Sequence, residues 1–247
     1  MADESPKLRT VNKVRPPFAL NDFPKNFGYI IGEELVYLLA TKGRADLEGG
    51  EWEAIFAKSI GAEWKPSNVG LDDVVLESCA WGAKTVKAKT PSKQKIVRLI
   101  SGRNSLGYSF NVDDVTKPAL NDVGNKVLHI WNERVADIRK RHKHLRTIVM
   151  VKSDDLSEVL IFEFETIRYD AELYTWTWNK RKNLEGVEKS SGEHKFTWQP
   201  HGSQFTIIET VPQNGLIIRI KKPKKLDRGK VLKELGFDKS WVTVIRK

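Results

Sequence analysis

Residues 71–89 read LDDVVLESCAWGAKTVKAK: two adjacent carboxylates, a short apolar run, a polar break, and a second run that ends among lysines. The two runs, DDVVLE and WGAKTVKA, are strand candidates, and Ser78-Cys79 between them reads as a tight hairpin turn. With the turn there, Asp73 falls opposite Lys84 or Thr85 on the second strand. Period-two alternation puts Ala83, Thr85 and Lys87 on one face and Gly82, Lys84 and Val86 on the other. One acid and one lysine can therefore converge. A carboxylate that holds a divalent cation beside an ammonium that steadies a phosphate or an attacking hydroxide is what phosphodiester hydrolysis requires.

The flanking sequence supplies the layers around this hairpin. On its N-terminal side, LVYLLA predicts a short helix ended near Gly43, and EWEAIFAKSI carries Trp52, Ile55, Phe56 and Ile60 at helical spacing. On its C-terminal side, KIVRLIS predicts a third strand. KVLHIWNERVADIRKRHKHL repeats Val127, Leu128, Trp131, Val135 and Ile138 every three or four residues, the pattern of a long amphipathic helix. TIVMVK, residues 147–152, is a continuous apolar run of the kind buried on both faces by parallel pairing. The order helix, strand, strand, strand, long helix, strand implies an α/β layer in which the long helix crosses back to a neighbouring strand. Beyond residue 155 the rhythm changes to short strands, EVLIFEFE, ELYTWTW, HKFTWQ, SQFTIIET and LIIRIKK. They either extend the first sheet or form an adjoining lobe. The expected fold class is α/β with α+β character: a central mixed sheet flanked by helices, and a β-rich C-terminal half. The chain is expected to be one composite domain, 1–247, with an N-terminal arm and helix (1–47), a core (48–152) and a β-rich region (153–247).

Composition narrows the partner. The chain has 247 residues, 40% hydrophobic and 30% charged, with eight Trp, enough to bury a sizeable core. The net charge is +10, from 42 Lys and Arg against 32 Asp and Glu, which favours nucleic acid as partner. Cys79 is the only cysteine, so a disulfide framework and a Cys-rich zinc site are excluded, and a metal must sit mainly on carboxylates. No apolar run is long enough to cross a bilayer, and MADESPKLRTVNK lacks the apolar core of a secretion signal. A cytoplasmic protein without membrane association is expected.

With the hairpin and its flanking elements in this order, the chain resembles the PD-(D/E)xK nucleases, in particular the type II restriction endonucleases. The resemblance spans about residues 48–152 and rests on a short motif. It implies a restriction-endonuclease-like core, a Mg²⁺ cofactor with no small-molecule cofactor, and a homodimer acting on double-stranded DNA in a prokaryotic cell. The family's first acid falls on Asp73, with Asp72 where proline is usual, and its lysine falls best on Lys87. The family carries an acid two residues before that lysine, and here Thr85 stands there. Some restriction enzymes have Ser in that place and recruit a carboxylate from elsewhere in the fold. Glu53, Glu51 and Glu77 are the candidates for the displaced acid, with Asp73 and Glu53 as the metal pair. Lys84, with Gly82 in the acid's place, is the other register.

The ordinary counterparts of these readings are a solvated strand start at Asp72 and Asp73 and an edge strand kept soluble by Lys84, Lys87 and Lys89. Glu163 and Glu165 alternate onto what should be the wet face of a strand. DNA contacts are expected from Arg103 and Asn104 in SGRNS, and from Lys180, Arg181, Lys182, Lys195, His201 and Gln204 in the Trp-rich segment 176–206. The expected activity is that of a Mg²⁺-dependent, sequence-specific double-stranded DNA endonuclease, a type II site-specific deoxyribonuclease of a restriction-modification system. The alternatives are a non-catalytic nucleic-acid-binding protein and a repair or RNA-processing nuclease of the same fold.

Overall fold

The computed structural model describes residues 14–65 and 70–246. The first 13 residues of the expected N-terminal arm therefore lie outside the described residues.

Helix α1, Phe27–Lys42, begins well before LVYLLA and buries Phe27, Ile31, Leu35, Leu38 and Leu39. Gly43 ends it in the left-handed region at φ 67°, which a glycine adopts without a side-chain clash. Helix α2, Gly49–Ile60, opens on a reciprocal capping box between Glu48 and Glu51 and buries Trp52, Ile55, Phe56 and Ile60. Two short strands follow, β1 (Glu63–Trp64) and β2 (Val74–Leu76), then the long β3 (Cys79–Lys87). The hairpin turn is Glu77-Ser78, with Glu77 at φ 52°, and Cys79 already belongs to β3. The turn thus lies one residue earlier than the sequence suggested.

Strand β4 (Ile96–Arg103) does not rejoin that hairpin. Its alternation, Val97 and Leu99 buried and Ile96, Arg98 and Ile100 exposed, lets it serve a second sheet while its apolar face packs on the first. After the short α3 (Leu106–Phe110), the long α4 (Leu120–Arg141) buries Val127, Leu128, Trp131, Val135 and Ile138, as its spacing requires. Strand β5 (His144–Lys152) then runs parallel to β3, paired from Cys79 with His144 to Lys87 with Lys152. All but its first residue are buried, which accounts for the unbroken apolar run.

The C-terminal half does both things left open by its pattern. Strands β6 (Glu158–Glu165) and, later, β11 (Leu216–Arg219) extend the first sheet, whose order is β1-β2-β3-β5-β6-β11. Strands β7 (Tyr174–Trp178), β8 (Leu184–Glu188), β9 (His194–Gln199) and β10 (Gln204–Thr210) join β4 in the order β4-β10-β9-β8-β7. Strand β8, LEGVE, carries a central glycine and was not legible as a strand. A last helix, α5 (Arg228–Glu234), buries none of its residues.

The first sheet is a wall between two layers. Trp81, Ile148, Met150 and Ile161 face α1 and α2, while Ala80 and Leu145 face α4 and the second sheet, where Trp176, Phe196, Trp198 and Phe205 are buried. A smaller core of Val97 and Leu99 against Val149, Val151, Leu160 and Phe162 fastens β4 to the wall. Among the described residues no helix is long and apolar enough to cross a membrane.

Glu163 corrects the expectation of a wet face. It is 1% exposed and pairs with the equally buried Arg146 at 2.8 Å. The Trp81 indole N–H donates to it at 2.7 Å, and the Asn21 backbone N–H donates to it at 3.1 Å. A buried charge requires such company. Here it also pins the segment before α1 to the middle of the sheet.

Candidate active site

Because β2 is only three residues long, it covers β3 from Cys79 to Trp81 and no further. Continuing that register sets Asp73 beside Gly82, not beside Lys84 or Thr85. Antiparallel partners share a face, so Asp73 lies on the Gly82, Lys84 and Val86 face and Lys87 lies on the other. The lysine that meets Asp73 is therefore Lys84. Lys87 is exposed at the far end of β3, next to Lys152.

Beyond the end of β2, residues 83–86 of β3 line a pocket of about 360 Å³, closed by Gly49 and Glu53 of α2 on one side and Arg98, Leu99 and Ile100 of β4 on the other. Asp73 is 2% exposed, and its Oδ2 accepts the Ala83 N–H at 3.3 Å. Burial pushes the Asp73 carboxyl up to about 6. The Lys84 charge acts against that rise, and the neighbouring charges of Glu53 and Asp72 add to it. Lys84 donates to the Gly70 carbonyl at 3.2 Å. Burial lowers its pKa, as does the Arg134 guanidinium of α4, against the pull of Asp73 and Glu53. Glu53 is half-buried and accepts the Trp64 indole N–H at 3.1 Å. Two carboxyls and an ammonium thus feel one another's charge, Glu53 and Lys84 in the pocket lining and Asp73 buried behind it.

Gly82 marks a close approach of two backbones. A Cβ at Gly82 would stand 2.8 Å from the Gly70 carbonyl oxygen and 3.1 Å from the Leu71 Cα. No side chain fits at position 82, two residues before Lys84. The open side of the pocket is instead supplied with a carboxylate from α2. Glu51 is engaged with Lys42 and the α2 cap, and Glu77 sits exposed in the turn at the opposite end of β2 from Asp73. Asp72 is held by Arg141 at 3.0 Å, tying the end of α4 to the hairpin.

Among the described residues no three His, Cys, Asp or Glu side chains converge as a closed metal cage. Mg²⁺ does not need one: it is commonly held by one or two carboxylates and completes its shell with water and phosphate oxygens. The Asp73 and Glu53 pair fits that donor set. Asp73 is a buried carboxyl with a like charge nearby and, among the described residues, one backbone donor, an arrangement that a cation relieves.

The pocket opens onto the outer face of the second sheet through Arg98 and Ile100, which it shares with a groove of about 660 Å³. Asn179, Lys180, Arg181, Asn183, Gln199 and Gln204 line this groove, and Glu185 is its one acid. The Asn179 carboxamide shapes the β7–β8 turn, its Oδ1 accepting the Arg181 and Asn183 N–H groups and its Nδ2 donating to Glu185. The pairing register gathers the β7–β8 turn with Lys180, Arg181 and Lys182, the β9–β10 turn with His201, and the facing pair Gln204 and Arg103 at one end of the sheet.

Two expected contacts are not available there. Asn104 is fully buried, its side-chain Nδ2 donating to the Val127 carbonyl at 2.9 Å while its backbone carbonyl accepts the Trp198 indole N–H. Lys195 lies towards the other end of β9, paired with Glu209 at 2.9 Å and set over the Tyr169 ring. Sequence reasoning missed Arg98, which bonds Thr197 at 2.7 Å and links pocket to groove, although alternation within KIVRLIS already set it apart from Val97 and Leu99. It also missed Arg134, which reaches from α4 to the Ser101 carbonyl at 2.9 Å, at the bulge that re-aims the end of β4.

In comparisons with known proteins, no family model, no curated protein and no solved structure matches the chain.

Proposed function

We propose that this chain is a Mg²⁺-dependent endonuclease that hydrolyses phosphodiester bonds of double-stranded DNA at a specific sequence, in the manner of a type II restriction enzyme working as a homodimer. The observation that carries the reading is a pocket lined by Glu53 and Lys84, with the buried Asp73 carboxyl close enough to feel both charges, that shares Arg98 and Ile100 with a cationic, amide-lined groove. Asp73 and Glu53 would hold the metal, which when bound supplies a water of lowered pKa and neutralises phosphate charge. The Lys84 ammonium sits where it can stabilise negative charge growing on the phosphate oxygens, and burial strengthens that interaction. Arg98, Lys180 and Arg181 suit the phosphate backbone, while Asn183, Gln199 and Gln204 have the paired donor and acceptor of an amide, suited to base edges.

A second reading, a DNA-binding protein that does not cleave, draws on the lack of a three-ligand acidic cluster among the described residues. Plasmid incubated with the protein and Mg²⁺, against an EDTA control, separates the readings. Discrete fragments are the expected result. A smear indicates a non-specific nuclease, and intact plasmid indicates a binder.

A further inference from the structure

The C-terminal segment presents apolar side chains that its own chain leaves uncovered. From Arg228 to Arg246 no residue is buried, and Leu235, Phe237, Trp241, Val242, Val244 and Ile245 are all exposed, Val244 by 80% and Ile245 by 83%. The segment's internal contact is a T-shaped Phe237–Trp241 pair. Its last backbone tie to the body before α5 is the Leu226 N–H on the Ala40 carbonyl, at the C-terminal end of α1. Six large apolar side chains on an arm call for a covering surface.

The same chain carries a surface of matching chemistry. Strand β11 ends the first sheet, paired on one side with β6 and, among the described residues, with no strand on the other. Between it and α1 runs an apolar groove of about 680 Å³. Leu216 and Ile218 lie against α1 at Gly28 and Gly32, and Tyr29, Val36 and Ile217 are exposed along it. A free, apolar strand edge is a template for another strand. Residues 241–246, WVTVIR, alternate as a strand does, with Trp241, Thr243 and Ile245 on one side and Val242, Val244 and Arg246 on the other. Within 241–246 the one charged side chain is Arg246, and the groove offers it Glu33.

We infer that two copies of this chain exchange C-terminal arms, residues 241–246 of each adding to the free edge of β11 in the other and filling its groove beside α1. The exchange is closed by a twofold axis, since each copy gives one arm and receives one. Trp241, Val242, Val244 and Ile245, with roughly 100 Å² each still exposed, contribute on the order of 800 Å² over two arms. The groove side adds about as much again, which reaches the size of a stable interface. The inference does not depend on the nuclease reading, because its readout is mass in the absence of DNA and metal.

The test is the molar mass of the full-length protein across a concentration series, by sedimentation equilibrium. The expected result is a dimer. Val244→Asp in the arm and, separately, Val36→Asp in the groove should each raise the dissociation constant at least tenfold, with unchanged circular dichroism. Should Val36→Asp fail to fold, Tyr29→Asp, at a position 81% exposed, replaces it. Mixing the arm variant with the groove variant restores one intact arm-groove contact, so dimer mass should return at concentrations where each alone is a monomer. A parent protein that is monomeric throughout overturns the inference, as an arm folded onto its own groove would produce. A dimer that neither variant weakens overturns it too, as do variants that alter only DNA affinity.

Discussion

Asp73→Asn separates the structural cost of the buried carboxyl from its chemistry. Burial raises the Asp73 pKa from the ordinary 3.8 to about 6, even with Lys84 pulling the other way. The unfolded chain thus loses this proton near 3.8 and the folded chain only near 6, so between these values the folded state holds the extra proton. The sign follows. Stability is greatest below the unfolded pKa, falls as pH rises through that window, and carries a constant cost above it. A shift of about two units corresponds to about 3 kcal/mol. Asparagine is uncharged, nearly the same shape, and keeps an oxygen to accept the Ala83 N–H. At pH 8 without divalent cations the variant should therefore be more stable than the parent by up to about 3 kcal/mol, and the gain should vanish by pH 4. Urea midpoints followed by circular dichroism across that range measure it. Adding Mg²⁺ should narrow the gap by stabilising the parent alone, by about 2.7 kcal/mol at one hundred times the dissociation constant. A variant less stable at pH 8, or a difference that ignores pH, would refute the reasoning about burial. Wild-type cleavage by the variant would separately remove Asp73 from the catalytic assignment.

Three other outcomes follow from the same geometry. Lys84→Ala should cost plasmid cleavage at least a hundredfold, whereas Lys87→Ala, on the opposite face of β3, should stay within a few-fold of the parent; the reverse ranking in a timed nicking assay would restore the other register. Gln204→Ala should weaken cognate DNA by about 1–3 kcal/mol more than random DNA, and Arg98→Ala should weaken both and lower the log–log salt slope by about one, as fluorescence anisotropy in Ca²⁺ would show. Glu163→Ala should destabilise the fold by about 3–5 kcal/mol, because it removes the buried partner of the Arg146 guanidinium, leaving it only the partly exposed Glu165, and strips the Trp81 and Asn21 N–H groups of their acceptor; a urea midpoint within error of the parent would count against that.

The parts of the fold legible in the sequence are those whose periodicity is enforced by a single buried face. Helix α4 could be read because its stripe meets one continuous apolar surface, and β5 because burial on both faces removes every polar residue from Thr147 to Val151 except Thr147 itself. Strand β4 was legible as a strand but not as a member of the second sheet, since its partner β10 lies about a hundred residues further on and alternation carries no address. Strand β8 was hidden because Gly186 occupies an inward position: a Cβ there would meet Trp176 and Phe196 at 2.9 Å, so the aromatic neighbours exclude the apolar side chain that would have marked the strand. Asn104 was misjudged for a related reason. A polar residue in a loop-like stretch suggests exposure, yet here the carboxamide satisfies the backbone of α4 beneath the second sheet.

How far along β3 Asp73 falls, beside Gly82 or beside Lys84, turned on one residue of turn placement, and that is where the sequence was least able to decide. Moving a two-residue turn by one position shifts every cross-strand partner by two along the opposing strand, which preserves the face and changes only the depth. Faces were therefore readable from alternation, and Gly82, Lys84 and Val86 fall together as expected. Depth was not readable, because Glu77 takes a left-handed conformation at φ 52° that its side chain does not advertise. Gly82 held the missing information. A glycine in the middle of a long, buried strand signals a close backbone approach, and here the approaching backbone is Gly70–Leu71, the segment that leads into Asp73. Read that way, Gly82 marks the point on β3 where the acid arrives, and the next residue on the same face is Lys84.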